Sequence, residues 1–244
     1  MSLLKALLVE NLTKIYGEGN IGVENLSFQV DEGEIYGLIG PNGSGKTTTL
    51  RIISTLLKPT SGDVKVFGVS VRENPLKVRS FINYLPEEAG AYRDLTGLDF
   101  IKLMLSMRIK GNELRKAVEE AVEISGLGDA LKRPIRTYSK GMKRLVAVST
   151  VLASKPRLLL LDEPTSGMDV ENSLRIRQLI KQYNREKGVT VVLSSHNMLE
   201  VETLCDRVGI LYRGKLVAEG RVQELKSAYG GANLEEVFLK ARGV

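Results

Sequence analysis

Gly40-Pro41-Asn42-Gly43-Ser44-Gly45-Lys46-Thr47 satisfies G-x-x-x-x-G-K-[ST], the spacing of a loop that wraps phosphate oxygens. Its glycines free the backbone to turn consecutive N–H groups inward, and a helix opening at its end adds roughly half a positive charge. Lys46 supplies a mobile cation for the outer phosphates and Thr47 a hydroxyl for a phosphate-bound Mg²⁺. The chemistry implied is recognition of a nucleoside triphosphate. Leu158-Leu159-Leu160-Leu161-Asp162-Glu163 ends an apolar run on two acids, which divide naturally between holding Mg²⁺ (Asp162) and orienting or deprotonating an attacking water (Glu163). His196, the only histidine, closes the run Val191-Val192-Leu193-Ser194-Ser195. At the same edge its imidazole would meet a γ-phosphate; the alternative is a structural histidine.

These residues need rigid carriers. Glu34-Ile35-Tyr36-Gly37-Leu38-Ile39 reads as a short buried strand entering the loop, and Thr48-Thr49-Leu50-Arg51-Ile52-Ile53 as a helix leaving it. Apolar runs at 158–161, 189–193 and 208–211 read as further strands separated by helical stretches, and open α/β sheets bind ligands at the C-terminal strand edge. The first sixty or so residues alternate apolar runs with glycine turns, a strand pattern. After Tyr84-Leu85-Pro86 the character becomes helical. Thr96-Gly97-Leu98-Asp99 is a capping-box pattern opening a helix that Gly111 ends, and Leu114, Ala117, Val118, Ala121 and Val122 mark the buried face of a second, stopped by Gly126. Residues 233–240 read as a small amphipathic helix. The 244 residues divide accordingly into one α/β core over 1–88 and 154–220, a helical insertion over about 89–153 and a helical tail over 221–244.

Composition excludes several alternatives. Hydrophobic residues at 43% and charged residues at 26% suit an ordinary globular chain rather than a disordered one. The longest apolar runs fall far short of the ~20 residues that cross a bilayer. Met1-Ser2-Leu3-Leu4-Lys5 lacks the charged leader of a secretory signal, so a cytoplasmic chain is expected. Cys205 is the only cysteine, which rules out an internal disulfide or a cysteine metal site and suggests a buried helix residue. The net charge of +6 permits nucleic-acid contact, but cations interleave with acids, as in Glu113-Leu114-Arg115-Lys116, and no RNA-recognition aromatic motif or zinc-finger spacing accompanies them.

One more segment carries chemistry. Ser139 in Thr137-Tyr138-Ser139-Lys140-Gly141-Met142 is a plausible N-cap, and Gly141 leaves the first turn of the helix sterically open. Alone it is an ordinary capped helix. In order along the chain, phosphate loop, Ser-x-Gly helix start, apolar strand with Asp162-Glu163, Ser166-Gly167-Met168-Asp169 and terminal His196 resemble the nucleotide-binding subunit of ATP-binding cassette (ABC) proteins. The resemblance covers nearly the whole chain.

What it implies is an α/β fold: a P-loop NTPase core with an N-terminal antiparallel β subdomain and an inserted α-helical subdomain. The expected cofactors are ATP and Mg²⁺. Tyr16 would stack on adenine, while Gly40, Asn42, Gly43, Ser44, Gly45, Lys46, Thr47 and Thr48 contact the nucleotide. Lys46, Glu163 and His196 would act in hydrolysis, and Thr47, Asp162 and Glu87 would hold Mg²⁺. Ser139, Lys140, Gly141 and Met142 form the signature, and Asp169 lies in the loop joining two active sites. The family forms a head-to-tail dimer, homomeric or heteromeric, with ATP between one phosphate loop and the other chain's signature helix; loss of the γ-phosphate reopens it. Two departures stand out: Glu87 occupies a position where glutamine is usual, and Tyr138-Ser139-Lys140-Gly141-Met142 replaces the commoner Leu-Ser-Gly-Gly-Gln. Glu87 can ligate Mg²⁺ but brings negative charge and no amide donor. The Leu-Pro-Glu-Glu run and the tail Leu234-Glu235-Glu236-Val237-Phe238-Leu239 resemble cassette subunits of drug, polysaccharide and ion exporters.

The leading expectation is an ATPase subunit, peripheral on the inner face of the cell membrane, that drives a separate transmembrane permease, with no nucleic acid as direct partner. The helical insertion and the segment around Glu87 would dock it. Tyr92, Leu95 and Phe100 are either apolar docking contacts or subdomain core. The alternatives are a soluble cassette acting on a cytosolic scaffold of the iron–sulfur assembly type, and a nucleic-acid ATPase, against which stand the short insertion and the single cassette.

Overall fold

In the computed structural model, which describes residues 5–88 and 92–243, the apolar run that enters the phosphate loop is β3 (Ile35–Ile39). It lies inside a six-stranded sheet ordered β10 (Lys215–Arg221), β9 (Arg207–Tyr212), β3, β8 (Thr190–Ser195), β7 (Leu158–Asp162), β6 (Ile82–Leu85). Only β10 is antiparallel to its neighbour. Every residue of β3, β7 and β8 is buried, which is why these strands read as unbroken apolar runs: both faces of a parallel sheet are covered.

The two faces sort by strand alternation. Tyr36, Leu38, Leu158, Leu160 and Val192 join one cluster with α1 (Lys46–Ile53) and a second, antiparallel sheet ordered β2 (Ile21–Asp31), β1 (Lys5–Ile15), β4 (Ser61–Val66), β5 (Val69–Ser70). Ile35, Ile39, Leu159, Leu161, Val191 and Leu193 face the opposite cluster, covered by α5 (Lys140–Ala153), α6 (Val170–Lys187), α7 (Met198–Leu204), α8 (Val222–Tyr229) and α9 (Leu234–Ala241). α2 (Pro75–Phe81) leads into β6. A third apolar cluster joins α3 (Gly97–Ser106) and α4 (Gly111–Ser125) to α5.

Thr96 caps α3 by accepting the Asp99 N–H, and Gly126 ends α4 in the left-handed region, both as the sequence suggested. Gly111 departs from expectation: α3 stops at Ser106, and Gly111, at φ +63°, opens α4 instead of closing α3. Phe100 is core, not a docking contact, with 7% of its surface exposed among Ile101, Leu105 and Tyr138. Leu95 is half-buried and Tyr92 exposed. Cys205 is buried as expected but sits just past α7, as its C-cap. The opening residues 1–4 and the expected start of the insertion at 89–91 lie outside the described residues.

Strand register levels the chemistry. Ile39 pairs with Ser195 and Ile210, and Asp162 pairs with Ser194, so Gly40, Glu163 and His196 leave the sheet at one edge. Neighbouring strands lie ~4.8 Å apart, which brings the three exits within side-chain reach.

Candidate active site

The phosphate loop is held by close backbone packing. Gly40 has φ +151°, and a Cβ there would collide with the Leu211 carbonyl oxygen; Gly45, at φ +108°, would place one 2.5 Å from the Gly22 oxygen. Neither position admits a side chain. The loop's end caps nothing with a side chain, so the first N–H groups of α1 are left to a ligand. Ser44 Oγ is buried and has no hydrogen-bond partner, an orphan that fits a loop built to meet phosphate oxygens.

Lys46 is 5% exposed and its ammonium donates to the carbonyls of Gly40 (2.7 Å) and Pro41 (3.1 Å). Burial pulls its pKa down, against the opposing pull of Glu163 and Asp162. Glu163 Oε1 lies 3.7 Å from Lys46 Nζ, and Glu163 Oε2 lies 2.9 Å from His196 Nδ1. The structure therefore joins Lys46, Glu163 and His196 in one chain of contacts, with the imidazole half-exposed at its outer end. The expectation that His196 reaches this edge holds; its contact here is the carboxylate.

Thr47 Oγ1 donates to Asp162 Oδ1 at 3.1 Å. Asp162 also receives the Ser194 hydroxyl on Oδ1 (2.6 Å) and the Tyr84 hydroxyl on Oδ2 (3.1 Å), so both carboxylate oxygens are aimed by neighbours. Burial, and then Asp162 itself, push the Tyr84 hydroxyl up to about 12, which keeps it a donor at neutral pH. Ser194 Oγ at the same time accepts the Glu163 N–H at 2.9 Å. Glu87 accepts from the Ser166 hydroxyl at 3.2 Å, linking the segment after β6 to the loop before Asp169.

Tyr16, Ile21 and Gly22 face residues 42–48, Glu87 and Glu163 across a cleft of about 300 Å³. Tyr16 is 40% exposed and its hydroxyl is 3.0 Å from Thr48 Oγ1. Every expected phosphate-loop contact except Gly40 lines this cleft. Ser139, Lys140, Gly141, Met142 and Asp169 do not. Lys140 lines a second cleft of about 390 Å³ that it shares with Glu87, Glu163 and Met168. Ser139 caps α5 by accepting the Met142 N–H at 3.2 Å, and Asp169 caps α6 by accepting the Asn172 N–H at 2.8 Å, a bond that also holds the Asp169 carboxyl below its ordinary range. A Cβ on Gly141 would lie 2.8 Å from Asn172 Nδ2, so signature turn and Asp169 cap meet on one residue.

Three neighbours of the two acids escaped the sequence reading: Tyr84, Ser194 and Arg144. Arg144 is 8% exposed and bonds backbone carbonyls on either side of Glu163; burial lowers its pKa to about 10, so it remains charged at neutral pH. A charged residue three positions beyond Gly141, on an otherwise apolar helix face, was the available signal.

Loop, strand-end acids and orienting hydroxyls at one sheet edge define a phosphate-loop nucleotide hydrolase of the α/β class. The family model described as ABC transporter matches residues 23–166, and the chain belongs to that family. It is an ATP-binding and ATP-hydrolysing subunit. Relatives include the linearmycin resistance ATP-binding protein of Bacillus subtilis, 39% identical over 96% of this chain and 78% of that protein. The daunorubicin/doxorubicin resistance ATP-binding protein of Streptomyces peucetius is 36% identical over 93% and 68%. Among solved structures, an ATP-binding subunit of an ABC transporter aligns with TM-score 0.87 at 28% identity, over 97% of this chain and 99% of that one. A dimeric ATP-binding cassette in a post-hydrolysis state, bound to ADP and Pi, aligns with TM-score 0.80 at 29% identity, over 88% and 98%.

Proposed function

We propose that this subunit powers export of a drug-like compound through a separate transmembrane permease, closing head to tail on a second nucleotide-binding subunit when ATP binds and reopening after hydrolysis. The observation that carries the hydrolytic part is Glu163, held between Lys46 and His196 at the mouth of the phosphate loop. In this reading ATP lies in the cleft under Tyr16, and its phosphates take over Lys46 from the loop carbonyls. Glu163 orients the attacking water and accepts its proton, worth ~10²–10⁴ in rate. His196 Nδ1 contacts that carboxylate before ATP binds, and the imidazole N–H turns to the γ-phosphate once it has bound. Ser139, Lys140, Gly141 and Met142 of the second subunit close the site from across the dimer, with Asp169 beside them.

Thr47 and Asp162 offer Mg²⁺ a hydroxyl and a carboxylate 3.1 Å apart, with Glu87 near the same cleft. Hard oxygen donors suit this ion, and Thr47, Asp162 and Glu87 would hold it beside the phosphates. Bound there, Mg²⁺ supplies positive charge to the phosphate tail. Tyr84 and Ser194 hold Asp162 in place for it.

Among the described residues no helix is long and apolar enough to cross a membrane; in this reading the chain meets the membrane at the permease. Its docking groove is read as the 390 Å³ cleft lined by Leu56, Arg79, Tyr84, Met104 and Met107, in which Leu56 (64%) and Met107 (63%) are exposed. Tyr84 in its wall also bonds Asp162, a direct path from docking to the site. The names of the antibiotic-resistance relatives support a drug-like cargo. Affinity purification of the tagged chain after mild detergent extraction tests the reading: near-equal recovery of a polytopic membrane protein is expected, and recovery of soluble partners alone contradicts it.

A further inference from the structure

Arg144, on the helix that Ser139 caps, is buried, and its guanidinium has five N–H donors. All five find acceptors. Nε donates to the Pro164 carbonyl (2.9 Å), Nη1 to those of Pro86 (2.6 Å) and Glu87 (3.2 Å), and Nη2 to those of Asp162 (2.8 Å) and Glu163 (3.2 Å). Each acceptor is main chain, so the contact fixes backbone positions rather than pairing with a carboxylate. Three separate pieces meet on this one side chain: the segment leaving β6, the acid-bearing end of β7, and the loop that runs on to Asp169.

Glu163 is where this grip matters. Its φ is +47°, in the left-handed region that glutamate holds only when its surroundings over-determine it. From one side Ser194 takes the Glu163 N–H, on its hydroxyl at 2.9 Å and its carbonyl at 3.2 Å. From the other, Arg144 takes the Glu163 carbonyl. Between these two grips the carboxylate is aimed at Lys46 and His196.

We propose that Arg144 is a positioning residue for ATP hydrolysis: its planar fork holds Glu163 in the left-handed conformation and keeps Pro86-Glu87 in register with it. The proposal rests on the reading of Glu163 as the group that orients water. Lysine does not substitute, because a point cation with three donors on a flexible stem cannot span five carbonyls fixed in space. ATP affinity without Mg²⁺ is expected to change little, since the loop's hold on Lys46 runs through Gly40 and Pro41 and not through Arg144.

The test uses the full chain with Arg144→Lys, Arg144→Ala and Glu163→Gln, measuring ATP affinity by titration, kcat and KM by phosphate release, and the thermal midpoint. Arg144→Lys is expected to lower kcat about a hundredfold, the scale of a 1 Å misplacement, with ATP affinity within about twofold of the parent. Millimolar methylguanidinium is expected to restore part of kcat in Arg144→Ala without shifting its midpoint. Parental kcat in folded Arg144→Lys, even with a lower midpoint, overturns the proposal. Equal losses of ATP affinity and kcat overturn it as well, since they signal general disorder. Should Arg144→Ala not fold, Arg144→Lys decides. Parental turnover in Glu163→Gln removes the reading beneath the proposal; an inactive Glu163→Gln beside a fully active Arg144→Lys removes only the role of Arg144.

Discussion

Asp162 shows how much of a site rests on residues that do not announce themselves. Its carboxylate was legible because a buried strand gains nothing in stability from closing on two acids, whereas a neighbouring phosphate loop gives them a cation to hold. Lys46 and Thr47 were legible by spacing alone. Tyr84 and Ser194 were not: a tyrosine and a serine in strands are common, and only the parallel register that pairs Asp162 with Ser194 and lays β6 beside β7 gives them work. Tyr84 predicts a measurable effect. Tyr84→Phe removes one donor from Asp162 and should raise the Mg²⁺ concentration for half-maximal ATPase activity roughly tenfold, the usual cost of losing a group that orients a metal ligand. ATP affinity without Mg²⁺ should not change. A Mg²⁺ titration of turnover that overlays the parent's contradicts this assignment.

At the scale of elements, the strands buried on both faces were readable one by one, and the edge strand β10 was not. β3, β7 and β8 are covered on both faces and so carry apolar runs that turn polar only at their ends, whereas β10 runs along an edge, mostly half-exposed, and its sequence Lys-Leu-Val-Ala-Glu-Gly-Arg carries no clean period. Gly111 misled for a related reason: a lone glycine between two helical patterns marks a boundary without saying which helix it serves. Gly40 is more decisive. Gly40→Ala puts a methyl into the Leu211 carbonyl at a backbone angle that favours glycine. It should cost roughly 2–4 kcal/mol, or about 4–16 °C in Tm, and abolish ATP binding; a parental melting curve contradicts the packing described. Cys205, behind β3 and α7, reports the same core. Burial pushes its thiol well above the ordinary range, so little thiolate forms at pH 8, and alkylation by iodoacetamide should run roughly a thousandfold or more slower than in the unfolded chain. Labelling at the unfolded rate without denaturant would show that the sheet opens locally at this point.

For the whole molecule, the order of motifs along the chain carried the family, because each motif lies at a strand end or helix start that one topology brings to one edge. What that order could not supply is the surface that meets other proteins. Exposed Leu56 and Met107 come from segments distant in sequence, and Phe100, which reads as an equally good contact, is core. Leu56→Asp with Met107→Asp should abolish co-purification of the permease while leaving the ATP affinity of the chain unchanged; full retention of the permease would move docking elsewhere. Lys140 and the phosphate loop line different clefts of one chain, which is the arrangement the proposed head-to-tail pair would complete. Light scattering of Glu163→Gln with Mg²⁺ and saturating ATP tests that most directly. A particle of twice the chain mass that returns to chain mass when ATP is removed is the predicted result, and a monomer that binds ATP at full affinity would contradict the account.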